Sequence, residues 1–379
     1  MHELCRAKSN ELIFLQFIQS LDTCIILNIY SRKNILLPLH NERFSELNEI
    51  LLLISSGYFI IERMQVTLVI LLICMLLNTT VFYTQSEGSS NEIDTKESHQ
   101  FNFVAAGDFG CGNESIRTVN GMVNKNPELV LALGDLSYQR SPNCWLNIIS
   151  PLDSSKKVKI SFGNHDMSNE LFKYSTYLKH FNLTKPYYSF NYRNVHFLAM
   201  ATAKNKLIPY DGTSQQYQFV KDDLKLARDN KSIDWIIVYS FKPFYSSNTT
   251  HPGQDELRNF YHPLFDKYGV DIVLQAHNHN YQRTYPITFN ETSPSSPIVL
   301  DKDKQNLYNN PKGPIFVTVG TAGAQLYNFT SQRPFIISQF ANNGFLNVDI
   351  EKSKEEFNLT GTFYKNDNLE KQDYFTITK

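Results

Sequence analysis

The sequence lacks an excess of charge of either sign. It holds 36 Lys and Arg residues against 37 Asp and Glu residues, which gives a formal net charge of −1. Non-specific binding to nucleic acid needs a broad positive field, so the composition argues against a nucleic-acid partner. Any charged ligand is therefore expected to be held by local groups. The sequence also lacks an internal repeat.

Cysteine is scarce as well, with only five residues in the chain. Two of them, Cys111 and Cys144, lie beyond residue 100. In an exported protein such a pair favours a disulfide, whereas two free thiols are equally consistent with the spacing alone. Both alternatives stay open at the level of sequence.

Long hydrophobic runs are confined to the N-terminal part, where residues 66–77 read VTLVILLICMLL. This run is shorter than the roughly 20 residues that span a bilayer, and extension through Phe82 brings it close. We predict a signal peptide or membrane anchor over residues 64–83, with a buried core helix as the less favoured alternative. No clear A-x-A cleavage site decides between signal and anchor. The expected location is secreted or cell-surface.

The flanks of that run complete the predicted domain organisation. Since a secretory signal belongs at an N-terminus, we hypothesise that Met64 is the true start and that residues 1–63 are a non-native or unstructured extension. An additional membrane-associated segment around residues 50–61 is the alternative. Residues 84–100 are predicted to be a polar linker, and residues 101–379 a single domain.

Beyond residue 100, apolar runs rich in β-branched and aromatic residues repeatedly end in a polar motif. They are FNFVAA, ELVLAL, KVKISF, WIIVYS and VDIVLQ. Runs of this kind are typical of strands buried on both faces. Helices are predicted between them at residues 115–124, 214–230 and 255–268, and a hairpin at 187–202. The alternation predicts an α/β domain with its functional loops at the carboxyl ends of the strands. Residues 286–312 are predicted to be a long loop that either borders the site or is a solvated insertion.

Four of these strand ends carry side chains that bind metals. The motifs are GDFG with Asp108, GDLSY with Asp135 and Tyr138, GNHD with Asn164, His165 and Asp166, and AHNHNY with His277 and His279. A mixture of carboxylate and imidazole ligands favours iron, zinc or manganese over calcium. In this order the motifs resemble the purple acid phosphatase branch of the calcineurin-like metallophosphoesterases. The resemblance runs from about residue 101 to about residue 350.

The resemblance implies a fold and a metal centre. The fold would be a four-layer αββα sandwich of two mixed β-sheets flanked by helices. The centre would hold two metal ions, iron with iron, zinc or manganese. Asp108, Tyr138 and His279 would bind the first metal, Asn164 and His277 the second, and Asp135 would bridge them. The Tyr138 phenolate would stabilise a ferric ion.

The resemblance also implies a reaction, the hydrolysis of small phosphomonoesters by a hydroxide held on the two metals. His165 would contact a phosphate oxygen or protonate the leaving group, and Asp166 would orient its imidazole. His251 would contact the phosphate or act as the acid. A phosphodiesterase or nucleotidase of the same fold is a close variant.

The sequence departs from the family pattern at two positions. Phe241, in VYSF, stands where the family's VxxH motif has a histidine, and a phenyl ring cannot coordinate a metal. His251 is the nearest candidate to replace that histidine as a ligand. Its alternative role is to contact the substrate phosphate. The departure motivates a rival hypothesis, an exported metal- and phosphate-binding protein without turnover. Ala276 replaces the glycine that usually precedes the first histidine.

Overall fold

The computed structural model describes residues 99–153, 157–167, 171–203, 208–302, 306–353 and 356–379. The predicted segments 1–63 and 64–83 lie outside these residues, as does most of the predicted linker. Within the described ranges, none of the helices combines the length and the apolar character that crossing a membrane requires. The described residues fall in a unit that runs from Asp94 to Lys379.

Sixteen strands and five helices are formed by the described residues. The strands are β1 (His99–Ala106), β2 (Leu129–Ala132), β3 (Val158–Ile160), β4 (Tyr188–Tyr192), β5 (Val195–Ala199), β6 (Trp235–Tyr239), β7 (Ile272–Gln275), β8 (Tyr281–Thr284), β9 (Ile287–Thr288), β10 (Ile298–Val299), β11 (Leu307–Asn309), β12 (Ile315–Val319), β13 (Ile336–Phe340), β14 (Gly344–Lys352), β15 (Phe357–Lys365) and β16 (Lys371–Thr378). The helices are α1 (Asn113–Asn124), α2 (Asn143–Asp153), α3 (Leu171–His180), α4 (Gln215–Asp229) and α5 (Asp255–Tyr268).

Fourteen of these strands form two mixed seven-stranded sheets, and β9 and β10 pair separately. One has the order β11-β16-β15-β14-β1-β2-β3, and the other has the order β13-β8-β12-β7-β6-β5-β4. Strands β1, β2 and β3 are parallel neighbours, as are β5, β6 and β7. Their carboxyl ends therefore lie side by side within each sheet, which brings the loops that follow them together.

The core has two layers of apolar side chains. The larger layer lies between the two sheets, where the rings of Phe103 in β1 and Phe197 in β5 are 5.4 Å apart. The smaller layer lies between the second sheet and helices α4 and α5, with Val220 and Leu257 both fully buried. Helices α1 and α2 pack on the first sheet through residues such as Trp145. This arrangement is the four-layer αββα sandwich that the resemblance implies, and the predicted fold class is confirmed.

Helix α5 has the predicted bounds, and the cause lies in its ends. Acidic Asp255 and Glu256 occupy its first turn, where they face the positive end of the helix dipole. It stops at Gly269, whose φ of 71° places it in the left-handed region that glycine adopts readily. Helix α4 begins after Ser214, whose hydroxyl accepts a hydrogen bond from the Tyr217 amide at 3.1 Å.

Cys111 and Cys144 form a disulfide, with Cα atoms 6.0 Å apart. Of the two alternatives that the sequence left open, the structure contains the bridge. It joins the loop after β1 to the start of α2, so it ties together the segments that follow Asp108 and Tyr138. A loop closed over 33 residues stabilises the folded chain by about 3–4 kcal/mol in the chain-entropy account.

A buried ion pair connects the two sheets. Arg283 in β8 donates to Asp373 in β16 through Nε at 2.6 Å and Nη2 at 2.8 Å, and the hydroxyl of Tyr281 donates to the same carboxylate at 2.8 Å. The two charged side chains are only 1% and 7% exposed. Loss of either partner would leave the other charge buried and unpaired.

We predict that Asp373→Ala lowers the free energy of unfolding by about 3–5 kcal/mol, because it strands the Arg283 guanidinium in the core. Glu370→Ala is the matched control. Glu370 pairs with Lys365 at the surface, where its side chain is 65% exposed, so its loss should cost about 1 kcal/mol or less. Denaturant unfolding of the two variants measures both values. Equal destabilisation would contradict the role of Arg283–Asp373 as the connection between the sheets.

Candidate metal centre

The predicted ligands lie on loops at the carboxyl ends of neighbouring strands. Asp108 follows β1, Asp135 follows β2, and His277 and His279 follow β7. The amide of Asp108 donates to the Gly134 carbonyl at 3.0 Å, and the amide of Phe109 donates to the Asp135 carbonyl at 3.1 Å. These bonds hold the first two loops in register. The amide of His277 donates to Asp108 Oδ2 at 2.8 Å, which brings the loop of the second sheet to the first.

Three of the predicted ligands have left-handed backbone conformations. The φ angles are 59° for Asp108, 47° for Asp135 and 70° for His277. Such conformations cost about 1–3 kcal/mol each for residues with a side chain, and they persist only where the surrounding structure imposes them. Such a concentration at one place is typical of functional sites.

The predicted ligands of the first metal converge on one point. The Tyr138 hydroxyl donates to Asp108 Oδ1 at 3.1 Å and lies 2.8 Å from His279 Nε2. His279 Nε2 is 3.5 Å from Asp108 Oδ1. His279 Nδ1 lies 2.7 Å from the Gln325 carbonyl oxygen, so we assign the proton to Nδ1 and the lone pair to Nε2. Donor atoms at these separations fit around a single metal ion with bonds of about 2.0–2.2 Å.

The electrostatics of the centre favour a cation. Asp108 and Asp135 are 0% and 1% exposed. Burial, followed by the charges of Asp108 and Asp166, raises the pKa of Asp135 well above its usual value. Burial, followed by the charges of Asp108 and Asp135, also raises the pKa of Tyr138. A metal ion at this point would offset the repulsion and the desolvation together.

Tyrosine is needed to complete this site. Among the residues that the structure describes, no three His, Cys, Asp or Glu side chains form a metal-binding group. The oxygen of Tyr138 adds a third donor to those of Asp108 and His279. The donor set of the first position therefore fits a metal that accepts a phenolate.

The second predicted position is packed with rings. His277 stacks on His251 with centroids 3.9 Å apart, and its ring is 4.8 Å from that of Phe241. Phe241 is fully buried, and its Cδ2 lies where a side chain at Gly134 would be. Burial lowers the pKa of His277 to about 3, so its imidazole is neutral. Asn164 is exposed on the loop after β3.

The GNHD loop closes over Asp135. The amide of His165 donates to Asp135 Oδ1 at 2.8 Å, and no side chain would fit at Gly163 beside this carboxylate. Asp166 accepts from the amides of Leu136 at 3.0 Å and Gly163 at 2.9 Å, and burial raises its pKa to about 7. These bonds brace the loops, whereas the orienting role of Asp166 toward His165 stays a prediction. The His165 ring lies 4.3 Å from that of Tyr138.

Sequence reasoning missed two residues of the centre. Tyr327 stacks on His279 with centroids 4.1 Å apart, and it comes from a distant loop without a recognisable motif. Asn278 lies between the two histidines of AHNHNY, so its position in the sequence could have identified it as part of the centre. Its side chain accepts from the His251 amide at 2.9 Å and donates to the His251 carbonyl at 2.7 Å. Asn278 thereby fixes the His251 loop against the ligand loop. His196 lies elsewhere and bonds Asp223 at 2.8 Å and Asn191 at 2.7 Å, which gives it a structural role.

The family model described as calcineurin-like phosphoesterase matches residues 101–281. This match and the relatives that follow support a purple acid phosphatase-like metallophosphoesterase. The chain is 27% identical over 267 residues to purple acid phosphatase 21 of Arabidopsis thaliana, covering 64% of this chain and 55% of the relative. It is 28% identical over 223 residues to human acid phosphatase type 7, covering 52% and 48%. The chain thus spans about half the length of these curated relatives.

Solved structures support the fold. Purple acid phosphatase PPD1 from yellow lupin seeds aligns with a TM-score of 0.61 and 22% identity, covering 74% of this chain and 54% of that one. GAP50, described as the anchor in the inner membrane complex of Plasmodium, aligns with a TM-score of 0.54 and 16% identity, covering 73% and 87%. At these identities the likeness concerns the fold.

We predict that Tyr138→Phe weakens iron binding by at least about tenfold. Removal of a group that only hydrogen-bonds to a metal ligand already costs about that much, so removal of a ligand should cost at least as much. The visible tyrosinate band of the iron-loaded protein should disappear. Tyr177→Phe is the matched control, since its hydroxyl is buried without a hydrogen-bond partner among the described residues. Iron titration followed by absorption measures both. A band that persists in Tyr138→Phe would exclude the phenolate ligand.

Proposed function

We propose that the protein is a metal-dependent phosphatase that hydrolyses phosphomonoesters at the centre formed by the β1, β2, β3 and β7 loops. The observation that carries the proposal is the convergence of Asp108, Tyr138 and His279, whose donor atoms lie 2.8–3.5 Å apart. The family match supports the same reaction class. Phosphodiesters and nucleotides are the alternative substrates.

The residues that would hold the metals differ between the two positions. Asp108, Tyr138 and His279 would bind the first ion, and Asn164 and His277 would bind a second ion that shares Asp135. Iron paired with iron, zinc or manganese suits this mixture of donors. Metal ions bound there would polarise a phosphoryl oxygen and lower the pKa of a water molecule.

The chain itself would supply proton donors on both flanks of the centre. His165 lies against Tyr138, and His251 lies against His277. Burial lowers the pKa of both imidazoles, so each releases a proton more readily than a solvated histidine. Either ring could therefore donate a hydrogen bond to a phosphate oxygen or a proton to the leaving alkoxide.

One observation favours the rival function of binding without turnover. The ring of Phe241 occupies the space between Gly134 and His277, where the family motif has its histidine. A protein that keeps the first metal position and loses the second would still bind phosphate. The two functions differ in how many metal ions the chain holds.

The disulfide supports the further proposal that the protein is exported. Structural disulfides persist in oxidising compartments and are rare in the cytosol. The Cys111–Cys144 bridge joins two loops of the centre. Secretion or display at the cell surface agrees with this chemistry, through the predicted segment at residues 64–83.

We predict that the full chain, loaded with iron and zinc, releases phosphate from an aryl phosphate, and that chelation abolishes release. Asp108→Asn should remove activity, because an amide cannot supply the charge that holds the first metal. Asp229→Asn, a surface aspartate on α4 paired with Arg228, is the matched control and should leave activity unchanged. Absence of release from aryl phosphates and nucleotides under all metal conditions would refute the phosphatase.

Replacement of Phe241 tests the second position. We predict that Phe241→His tightens the binding of a second metal ion and raises the rate, since it adds a nitrogen ligand beside His277. Phe241→Leu keeps an apolar side chain and is the control that should leave metal content unchanged. Elemental analysis of the purified variants measures the stoichiometry. A wild-type protein that already holds two ions would show that the site tolerates phenylalanine.

A further inference from the structure

A pocket lies beside the candidate metal centre, and none of the predicted metal ligands lines it. Its volume is about 320 Å³, which falls at the lower end of the range for small-molecule sites. Its polar lining includes Ser246, Ser247, Asn248, Arg258 and Arg333, with the ring of Phe335 as an apolar wall. The predicted long loop at residues 286–312 reaches it through Ser295.

Arg258 contributes a buried charge to this pocket. Its side chain is 6% exposed, and Nη1 donates to the Phe244 carbonyl at 2.8 Å. Nη2 donates to Asp255, whose own side chain is 83% exposed. Nε is buried and has no hydrogen-bond partner among the described residues. A buried donor without a partner is costly, so the guanidinium of Arg258 keeps unused hydrogen-bonding capacity in the pocket wall.

Arg333 contributes a second positive charge from the opposite segment of the chain. Its backbone amide donates to the Ser247 hydroxyl at 3.1 Å, which fixes the residue at the pocket. Its guanidinium is exposed and forms no hydrogen bond or ion pair with the described residues. The charges of Arg258, Arg333 and Asp255 sum to one net positive charge in the pocket lining. The pocket also lies at the amino end of α5, where the helix dipole favours an anion.

The pocket and the metal centre share one loop. Asn248, Thr249, Pro252 and Gly253 line the pocket, while His251 between them stacks on His277. Asn278 strengthens the connection, since its Nδ2 donates to Ser246 Oγ at 2.9 Å and to the His251 carbonyl at 2.7 Å. A ligand that spans the loop would therefore reach both places.

We propose that this pocket binds a second anionic group of the substrate, so that the preferred substrates are phosphate esters carrying another phosphate or a carboxylate. The inference rests on the proposed function, because it takes the metal centre as the place of the scissile phosphate. Arginine suits both anions through its planar fork of donors. The metal centre selects the phosphoester, and the pocket selects among phosphoesters.

The test measures binding, so that it does not depend on turnover. The probes are alkane bisphosphonates of increasing chain length, alkyl monophosphonates of the same lengths, and phosphonates ending in a carboxylate. Each is titrated calorimetrically into the full chain loaded with zinc. We expect bisphosphonates of one length range to bind about tenfold to hundredfold more tightly than the monophosphonates, the range for a charged hydrogen bond. The carboxylate series shows which of the two anions the pocket prefers.

Arg333→Gln should remove most of that preference, and Arg333→Lys should keep part of it. Arg228→Gln is the matched control. Arg228 lies over Tyr268, at the carboxyl end of α5, which is about 20 Å from its amino end for a helix of this length. A preference that survives in Arg333→Gln would reflect chelation of the metal and would overturn the inference, as would equal binding of all probes by the wild type.

The same comparison with phosphate esters separates this inference from the proposed function. Turnover of monophosphates without a lower KM for bisphosphates would support the phosphatase and refute the pocket. Conversely, an Arg333-dependent preference in binding without turnover would support the pocket and refute the phosphatase.

Discussion

Burial of two like charges is the constraint on which the candidate site depends. Asp108 and Asp135 end neighbouring parallel strands, and both are withdrawn from water. The fold tolerates this because backbone amides of His165 and His277 donate to the two carboxylates, while left-handed turns aim them at a common point. Since the repulsion remains, the arrangement is most stable with a cation at its centre. Burial, strain and like charge together are the signature of a site built for binding, at a cost to the stability of the empty chain.

The strands and longer helices could be predicted from sequence because local pattern determines them. The five apolar runs become β1, β2, β3, β6 and β7, and α5 has its predicted bounds. Helix α2 was missed because Pro151 lies within it, and proline normally indicates a helix end. The antiparallel strands β14, β15 and β16 were not predicted either. The pairing of β14 with β1 joins two distant segments, and no local pattern records such a contact.

The candidate ligands could also be predicted from local pattern, since glycine followed by a carboxylate at a strand end is a local signal. What sequence could not supply was the position of each side chain relative to the others. The stacking of Tyr327 on His279 and the closure of Asn278 on the His251 loop join segments that are far apart in the sequence. The disulfide between Cys111 and Cys144 was undecided for that reason too, because 33 residues of separation do not determine a distance.

The two metal positions are electrically unequal, and this bears on how Phe241 should be understood. The carboxylates act most directly on the first position, where Asp108 lies within 3.5 Å of both Tyr138 and His279. At the second position, burial is the main cause that lowers the pKa of His251 and His277; the charge of Asp108 raises both, and the charge of Lys242 lowers both. The apolar ring of Phe241 lies against His277 there and cannot serve as a ligand. With Asp135 shared, the second position has Asn164 and His277, whereas the first has Asp108, Tyr138 and His279, so a metal ion entering this centre would bind the first position more tightly.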